Sequence, residues 1–468
     1  MNQSQVDRLR QQLSEPRSLI ADLSDFEKYC HDATSYRGIP AALLLAETVR
    51  DVIAAVKFCC AESIAITARG AGTGLSGGCI VSPGGLLLST EKLRRLDIVP
   101  ERQLALCGPG VITKELQDAA AKHGLTYPPD PASYEESTLG GNVAENAGGL
   151  RCKRFGVTKD YVLGLEAIMP DGRCLRTGYF SENGGFSLGD LLIGSEGTLA
   201  IVTNIALRLI DLPERGITIL VAFDSPRNAA QAVSDINTSG LIPTVMEFLD
   251  GDAAACSNEY EKSEEFERVA AILLLETSGE GGGDQAEEIQ RICEQNYCSY
   301  LRSESDPSRS ENLWRVRRNV SKAVKAMAGL RISEDVAVPN SQFPALVQFV
   351  AEMNRQSRLR INCFGHAGDG NLHVNFLAPA DTEADRAEVE KWVDVLMRKT
   401  TELGGTLTGE HGIGLAKKQY LDLEFGPAAL TVMRQVKEVF DPTCLFNPDK
   451  LLPQQIIRGD GAGPLDKP

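Results

Sequence analysis

The sequence predicts an α+β protein built from more than one domain. Three observations carry this. Segments with helical spacing alternate with short apolar strands, glycine-rich loops punctuate the first half, and 468 residues exceed what one hydrophobic core usually organises. Hydrophobic residues at 43% and charged residues at 24% are ordinary for a globular enzyme. A net charge of −16 excludes nucleic acid or an anionic membrane as the main partner. Residues 1–8 lack the apolar run of a secretory signal, and no apolar stretch is long enough to span a bilayer, so a cytoplasmic protein is expected. The twelve cysteines include no Cys-x-x-Cys, which argues for reduced, buried thiols rather than an iron–sulfur or structural zinc site.

The elements follow in order. Val49, Val52, Ile53 and Val56 keep the spacing of one helix face. The apolar strand at 64–67 runs into Arg69-Gly70-Ala71-Gly72-Thr73-Gly74-Leu75-Ser76-Gly77-Gly78. Glycines remove side chains and permit positive φ, so successive N–H groups can converge on a phosphate. Gly72 to Gly77 also matches G-x-G-x-x-G, with Asp97 twenty residues beyond. A nicotinamide site needs a helix to start at the third glycine, whereas Pro83, Gly84 and Gly85 follow here. That reading fails. Two more loops rich in Gly, Ser and Thr, at 137–149 and 194–203, complete a set able to line one long ligand.

Beyond these loops, strands are expected at 217–223, 243–248 and 270–275, with helices at 227–237, 252–257 and 284–294 and a Gly-rich linker at 279–283. Residues 360–364 and 372–376 read as a β-hairpin around Gly368-Asp369-Gly370-Asn371, which brings His366 near His373. A helix is expected from Ala428 to about Phe440, then the closing segment 446–451 and a Gly/Pro-rich, disordered tail at 458–468.

Only five histidines occur, and three of them fall in the hairpin and in Gly409-Glu410-His411-Gly412. His366, His373 and Glu410 have the chemistry of metal ligands, and three protein ligands leave an open position suited to catalysis. By spacing alone, a pair of hydrogen-bonded core histidines explains the hairpin as well. His411 points to the opposite side of an extended loop from Glu410, the place for a general base. Arg315, Arg317 and Arg318 offer forks for a carboxylate, or form a basic helix face in solvent.

With these motifs the chain resembles the FAD flavoproteins of the vanillyl-alcohol-oxidase/PCMH type, over residues 40–453. Within them it is similar to the branch containing glycolate oxidase D subunits, D-lactate dehydrogenases and D-2-hydroxyglutarate dehydrogenases. The resemblance implies a two-subdomain FAD-binding domain at 1–213 and a ferredoxin-like α+β substrate and metal-binding domain at 214–425. A helical segment at 426–457 would return to the FAD domain. FAD would be non-covalent, because neither His31 nor His123 lies in a flavin loop. Arg69, Gly70, Ala71, Gly72, Thr73, Gly77 and Gly78 would hold the pyrophosphate. Pro129, Asp130, Thr138, Gly141, Asn142, Ala144 and Asn146 would line the isoalloxazine and ribityl chain, and Glu196, Gly197 and Ile201 the adenosine half.

The same resemblance favours the metal over the core-histidine reading at His366, His373 and Glu410, with zinc first and manganese or iron(II) accepting the same ligands. Arg317 becomes the carboxylate clamp and His411 the base that removes the hydroxyl proton of a 2-hydroxy acid. Relatives specific for D-2-hydroxyglutarate carry a lysine near position 333, where this chain has Ser333, so glycolate or D-lactate is the favoured substrate. An iron–sulfur electron-transfer subunit and a second flavin subunit are the implied partners. They would allow peripheral attachment to a membrane, and the resemblance also admits a homodimer. An inert flavin-binding subunit and a metal-dependent hydrolase are the competing classes. The intact histidines oppose the first, and the three flavin loops oppose the second.

Overall fold

The computed structural model describes residues 1–181, 187–214, 216–261, 269–279 and 281–453, so the tail at 458–468 lies outside the described residues. The chain forms two compact units. The first comprises Met1–Gly148, Val157–Leu212 and Glu410–Pro468, and the second Gly149–Gly156 and Pro213–Gly409.

The first unit contains two main sheets. One has four strands in the order Leu19–Ile20, Ala42–Leu45, Leu86–Ser89, Ile66–Arg69, and its last three strands are parallel. The other is an antiparallel sheet in the order Leu96–Val99, Leu104–Cys107, Ile201–Arg208, Val162–Ile168, Cys174–Arg176. The helix Val49–Glu62 packs on the parallel sheet because Val52, Ala55, Val56 and Cys59 fall on one face and are buried. Its start is fixed reciprocally. The Thr48 hydroxyl accepts the Asp51 N–H, and the Asp51 carboxylate accepts the Thr48 N–H. No helix follows Gly77; residues 78–85 turn directly into the Leu86–Ser89 strand, as the failed nicotinamide fingerprint requires.

The second unit is a seven-stranded antiparallel sheet. Its order is Tyr300–Glu304, Ile217–Phe223, Ala271–Thr277, Val245–Asp250, Arg360–His366, Asn371–Ala378, Leu330–Ala337. On one face the helices Gly251–Glu261 and Pro307–Ala326 bury Ala253, Ala254, Leu313, Val320 and Val324 against Leu249, Leu274, Phe364 and Leu377. On the other, Phe248 meets Phe343 of the helix Phe343–Gln356 edge-on, with ring centroids 5.7 Å apart. Every residue of Asn371–Ala378 is buried, so His373 and Asn375 are polar groups inside a strand covered on both faces.

Three boundaries differ from those expected. Gly282 and Gly283 open the helix Gly282–Gln295 instead of belonging to the linker. Residues 149–156, a short basic helical stretch, belong to the second unit. The second unit ends at Gly409, not at 425, because residues 413–416 are tied into the first. Ile413 and Gly414 donate their N–H groups to Glu196, and Leu415 and Ala416 donate theirs to the Ser76 carbonyl.

Candidate active site

In the first unit a cavity of about 240 Å³ is bounded by all three glycine-rich loops. Thirteen of the seventeen candidate cofactor residues line it: Arg69, Gly70, Ala71, Gly72, Thr73, Gly78, Thr138, Gly141, Asn142, Ala144, Glu196, Gly197 and Ile201. Gly77, Pro129, Asp130 and Asn146 do not. The Asn146 side chain accepts the Lys159 N–H, and Asn146 adopts φ +52° at the end of the helix Leu139–Glu145, so it shapes the loop from behind. Neither His31 nor His123 lines the cavity, whereas Glu410 and His411 both do.

The first two loops fit each other closely. A Cβ on Gly70 would lie 2.2 Å from Thr138 Oγ1, and one on Gly72, at φ +79°, only 1.9 Å from Arg69 Nη2. Arg69 cannot swing aside cheaply. Its guanidinium donates to the carbonyls of Lys28 and His31 at 2.8 Å each, to the Ala71 carbonyl at 3.2 Å and to Cys79 Sγ at 3.1 Å. Arg69 therefore braces the loop rather than offering a free charge.

Sequence reasoning missed the acidic wall of this cavity. Asp32 and Glu145 line it beside Glu196. Burial raises the Glu196 carboxyl, although the two N–H groups at 2.7 Å, Lys417 and Lys450 oppose the shift. Glu145 is pushed well above the ordinary carboxyl value by burial and by the negative charges of Glu196 and Asp32. Lys450 donates to the Gly78 carbonyl at 2.8 Å and to Asn447 Oδ1 at 3.0 Å, and burial pushes it down to about 8. The only sequence signal was Glu145 standing within the second Gly/Asn loop.

In the second unit the predicted hairpin pairs Phe364 with His373 and Asn362 with Asn375. The rings of His366 and His373 lie 5.2 Å apart, and a nitrogen of each able to bind a metal lies within 4.8 Å of the other. His366 Nδ1 bonds Glu247 Oε1 at 2.6 Å, so Nε2 is the ring nitrogen that could bind a metal. Arg317 Nε donates to Glu247 Oε2 at 2.5 Å, and its guanidinium lies over the Phe364 ring. Burial alone would raise the Glu247 carboxyl, but Arg317 and His366 outweigh it and hold it below the usual value. Among the described residues this Nε donation is the only hydrogen bond of Arg317, so its terminal nitrogens are not committed to a protein acceptor. Asp335, opposite His373 in the sheet, accepts the Gly409 N–H at 2.7 Å, so the chain reaches Glu410 one peptide bond beyond an anchored residue.

Arg331 is a further cation on the same sheet face. Its Nε and Nη2 donate to Asn375 Oδ1 at 2.9 and 2.8 Å, and its Nη1 to Ser321 Oγ at 3.2 Å. Among the described residues no carboxylate pairs with it, and burial lowers its pKa to about 10.

Comparison with known proteins bears on both units. The FAD binding domain family matches residues 40–178, and the C-terminal domain family of FAD linked oxidases matches 212–451. The glycolate oxidase subunit GlcD of Bacillus subtilis is 35% identical over 90% of this chain and 91% of its own. A D-lactate dehydrogenase of Anaerostipes hadrus is 32% identical over 94% and 95%, and a D-2-hydroxyglutarate dehydrogenase of Stutzerimonas stutzeri 30% identical over 94% and 97%. Substrate-bound p-cresol methylhydroxylase superposes with a TM-score of 0.78 at 14% identity, covering 97% of this chain and 98% of its own, which shows the PCMH-type fold. The chain belongs to the FAD-linked oxidase family of flavin-dependent oxidoreductases, and the residues matched by the FAD binding domain family include the first two glycine-rich loops of the cavity.

Proposed function

We propose that this oxidoreductase is a metal-assisted dehydrogenase of small D-2-hydroxy acids, with glycolate and D-lactate as its first substrates. The observation that carries the reading is the buried chain Arg317–Glu247–His366 beside His373, an ion pair that orients one of two adjacent imidazoles inside the sheet. Two imidazoles and the Glu410 carboxylate would suit zinc, manganese or iron(II), and a carboxylate behind one imidazole is the usual support for a metal-bound histidine. When bound, the flavin supplies the hydride acceptor and the metal acidifies the substrate hydroxyl. His411 takes the hydroxyl proton, and the terminal nitrogens of Arg317 grip the substrate carboxylate while Nε stays on Glu247.

Anaerobic addition of glycolate or D-lactate should bleach the flavin. A yellow protein that no 2-hydroxy acid reduces would leave the inert-subunit reading. Arg317→Lys keeps a charge beside Glu247 but loses the fork. Its Michaelis constant should rise tenfold or more with an unchanged flavin spectrum, and an unchanged constant would remove Arg317 from the substrate site. The cofactor assignment has its own test. Gly72→Val forces a β-branched side chain into a positive φ and into the braced Arg69 guanidinium, and should yield apoprotein with little flavin absorbance.

One observation favours D-2-hydroxyglutarate as a second reading. The missing lysine at position 333 argued for a short substrate, yet Arg331 puts an uncompensated cation two residues earlier on the same strand face, beside Ser333. Arg331→Gln decides between them. A selective loss of kcat/KM on D-2-hydroxyglutarate supports the dicarboxylate, and equal effects on all substrates make Arg331 a structural strut. Rates with oxygen, quinone analogues and dyes, together with co-purification, test the iron–sulfur and second flavin subunits as electron acceptors.

A further inference from the structure

The acidic wall of the cofactor cavity has no part in the chemistry described so far. Glu145 and Glu196 converge on one backbone position. A Cβ on Gly412 would lie 2.7 Å from Glu145 Oε2 and 3.0 Å from Glu196 Oε1. Only the absence of a side chain at Gly412, at φ +93°, lets the loop carrying His411 pass between these carboxyls. Their oxygens are therefore less than 6 Å apart, a separation at which two desolvated carboxylates resist both being ionised.

Their partners decide which one keeps the charge. Glu196 receives two backbone N–H groups at 2.7 Å, one on each oxygen, and feels Lys417 and Lys450. Such bonds favour a carboxylate. Among the described residues Glu145 has one donor, the Ser76 hydroxyl at 3.5 Å, and it faces the charges of Glu196 and Asp32, relieved only in part by Lys450. Asp32 adds to this field. Its Oδ1 is taken by Thr34, while its Oδ2 is buried with no hydrogen-bond partner among the described residues. The proton of the pair belongs on Glu145.

We propose that Glu145 is a neutral carboxylic acid that donates a hydrogen bond to the flavin ring and thereby helps set its reduction potential. Glu145 ends the Leu139–Glu145 helix, whose Gly140, Gly141, Asn142 and Ala144 also line the cavity, as does His411. The flavin ring presents oxygen and nitrogen acceptors, and hydride uptake adds one negative charge to it. A neutral donor stabilises that charge, whereas an ionised Glu145 would repel it. Glu145 transfers no proton here; it remains covalently unchanged through the cycle. The inference rests on the FAD site alone and is independent of which 2-hydroxy acid is the substrate.

Two variants of the holoenzyme test it without turnover. Glu145→Gln keeps the shape and a neutral donor; Glu145→Met keeps the bulk and removes the donor. Infrared spectra of the wild type should show the carbonyl band of a neutral carboxylic acid that is lost in Glu145→Gln. Equilibration with redox dyes at neutral pH should leave Glu145→Gln near the wild type and disfavour reduced flavin in Glu145→Met by tenfold or more, about 30 mV for a two-electron couple. At alkaline pH the wild-type potential should fall more steeply than that of Glu145→Gln, as the carboxyl ionises against Glu196 and Asp32. Absence of a Glu145-dependent acid band overturns the protonation, and equal potentials in wild type and Glu145→Met overturn the role.

Discussion

Replacing His411 with alanine is expected to slow flavin reduction by a hundredfold or more, the usual scale for losing a positioned base. The flavin should stay. The glycine-rich loops proposed to hold the cofactor are braced by Arg69, Thr138 and Asn447, none of which depends on the imidazole. Metal content should stay as well, because the proposed ligands His366, His373 and Glu410 are untouched. The defect should therefore appear as a lower limiting rate of reduction at saturating substrate, with an unchanged Michaelis constant for the Arg317-held carboxylate. Added imidazole should restore part of the rate. A variant that reduces at the parent rate would show that the proton leaves by another route. A variant that loses metal would place His411 among the ligands. His373→Ala differs: it should lose metal and activity together.

The parts legible in the sequence were those written in local pattern. Period-two alternation marked the Arg360–His366 and Asn371–Ala378 hairpin, and glycine density marked the loops that line the cavity. The partners that orient the site were not local. Glu247 lies 119 residues from His366 and 70 from Arg317, inside a strand whose other residues are mainly apolar. Nothing in that strand marks its glutamate as an ion-pair centre until the sheet places it opposite His366. The return point at Glu410 was misplaced for a related reason. Residues 410–417 have neither helical nor strand spacing and are held by backbone donation to Glu196 and Ser76, so the reading ran on to the next periodic helix, Pro427–Phe440. Arg331 was missed because its meaning lies in what does not pair with it.

Glu247→Gln should be the most damaging substitution in the second unit. The wild-type carboxylate is fully buried and serves Arg317 and His366 at once. A glutamine keeps the volume but leaves the Arg317 guanidinium buried without a counter-charge. Breaking one side of such a pair typically costs about 3–5 kcal/mol. The amide is also a weaker acceptor for His366 Nδ1, so the imidazole loses part of its orientation, and metal affinity should fall about 10–100-fold. Denaturant midpoints and metal titrations read the two effects separately, and a second change separates their causes. In Glu247→Gln/Arg317→Met no uncompensated charge remains inside, so most of the lost stability should return. Metal affinity should not return, because His366 still lacks its carboxylate. Recovery of both together would make the pair a purely structural clamp. Recovery of neither would mean that Glu247 acts through sheet packing, and the oriented imidazole at the centre of the proposed mechanism would lose its support.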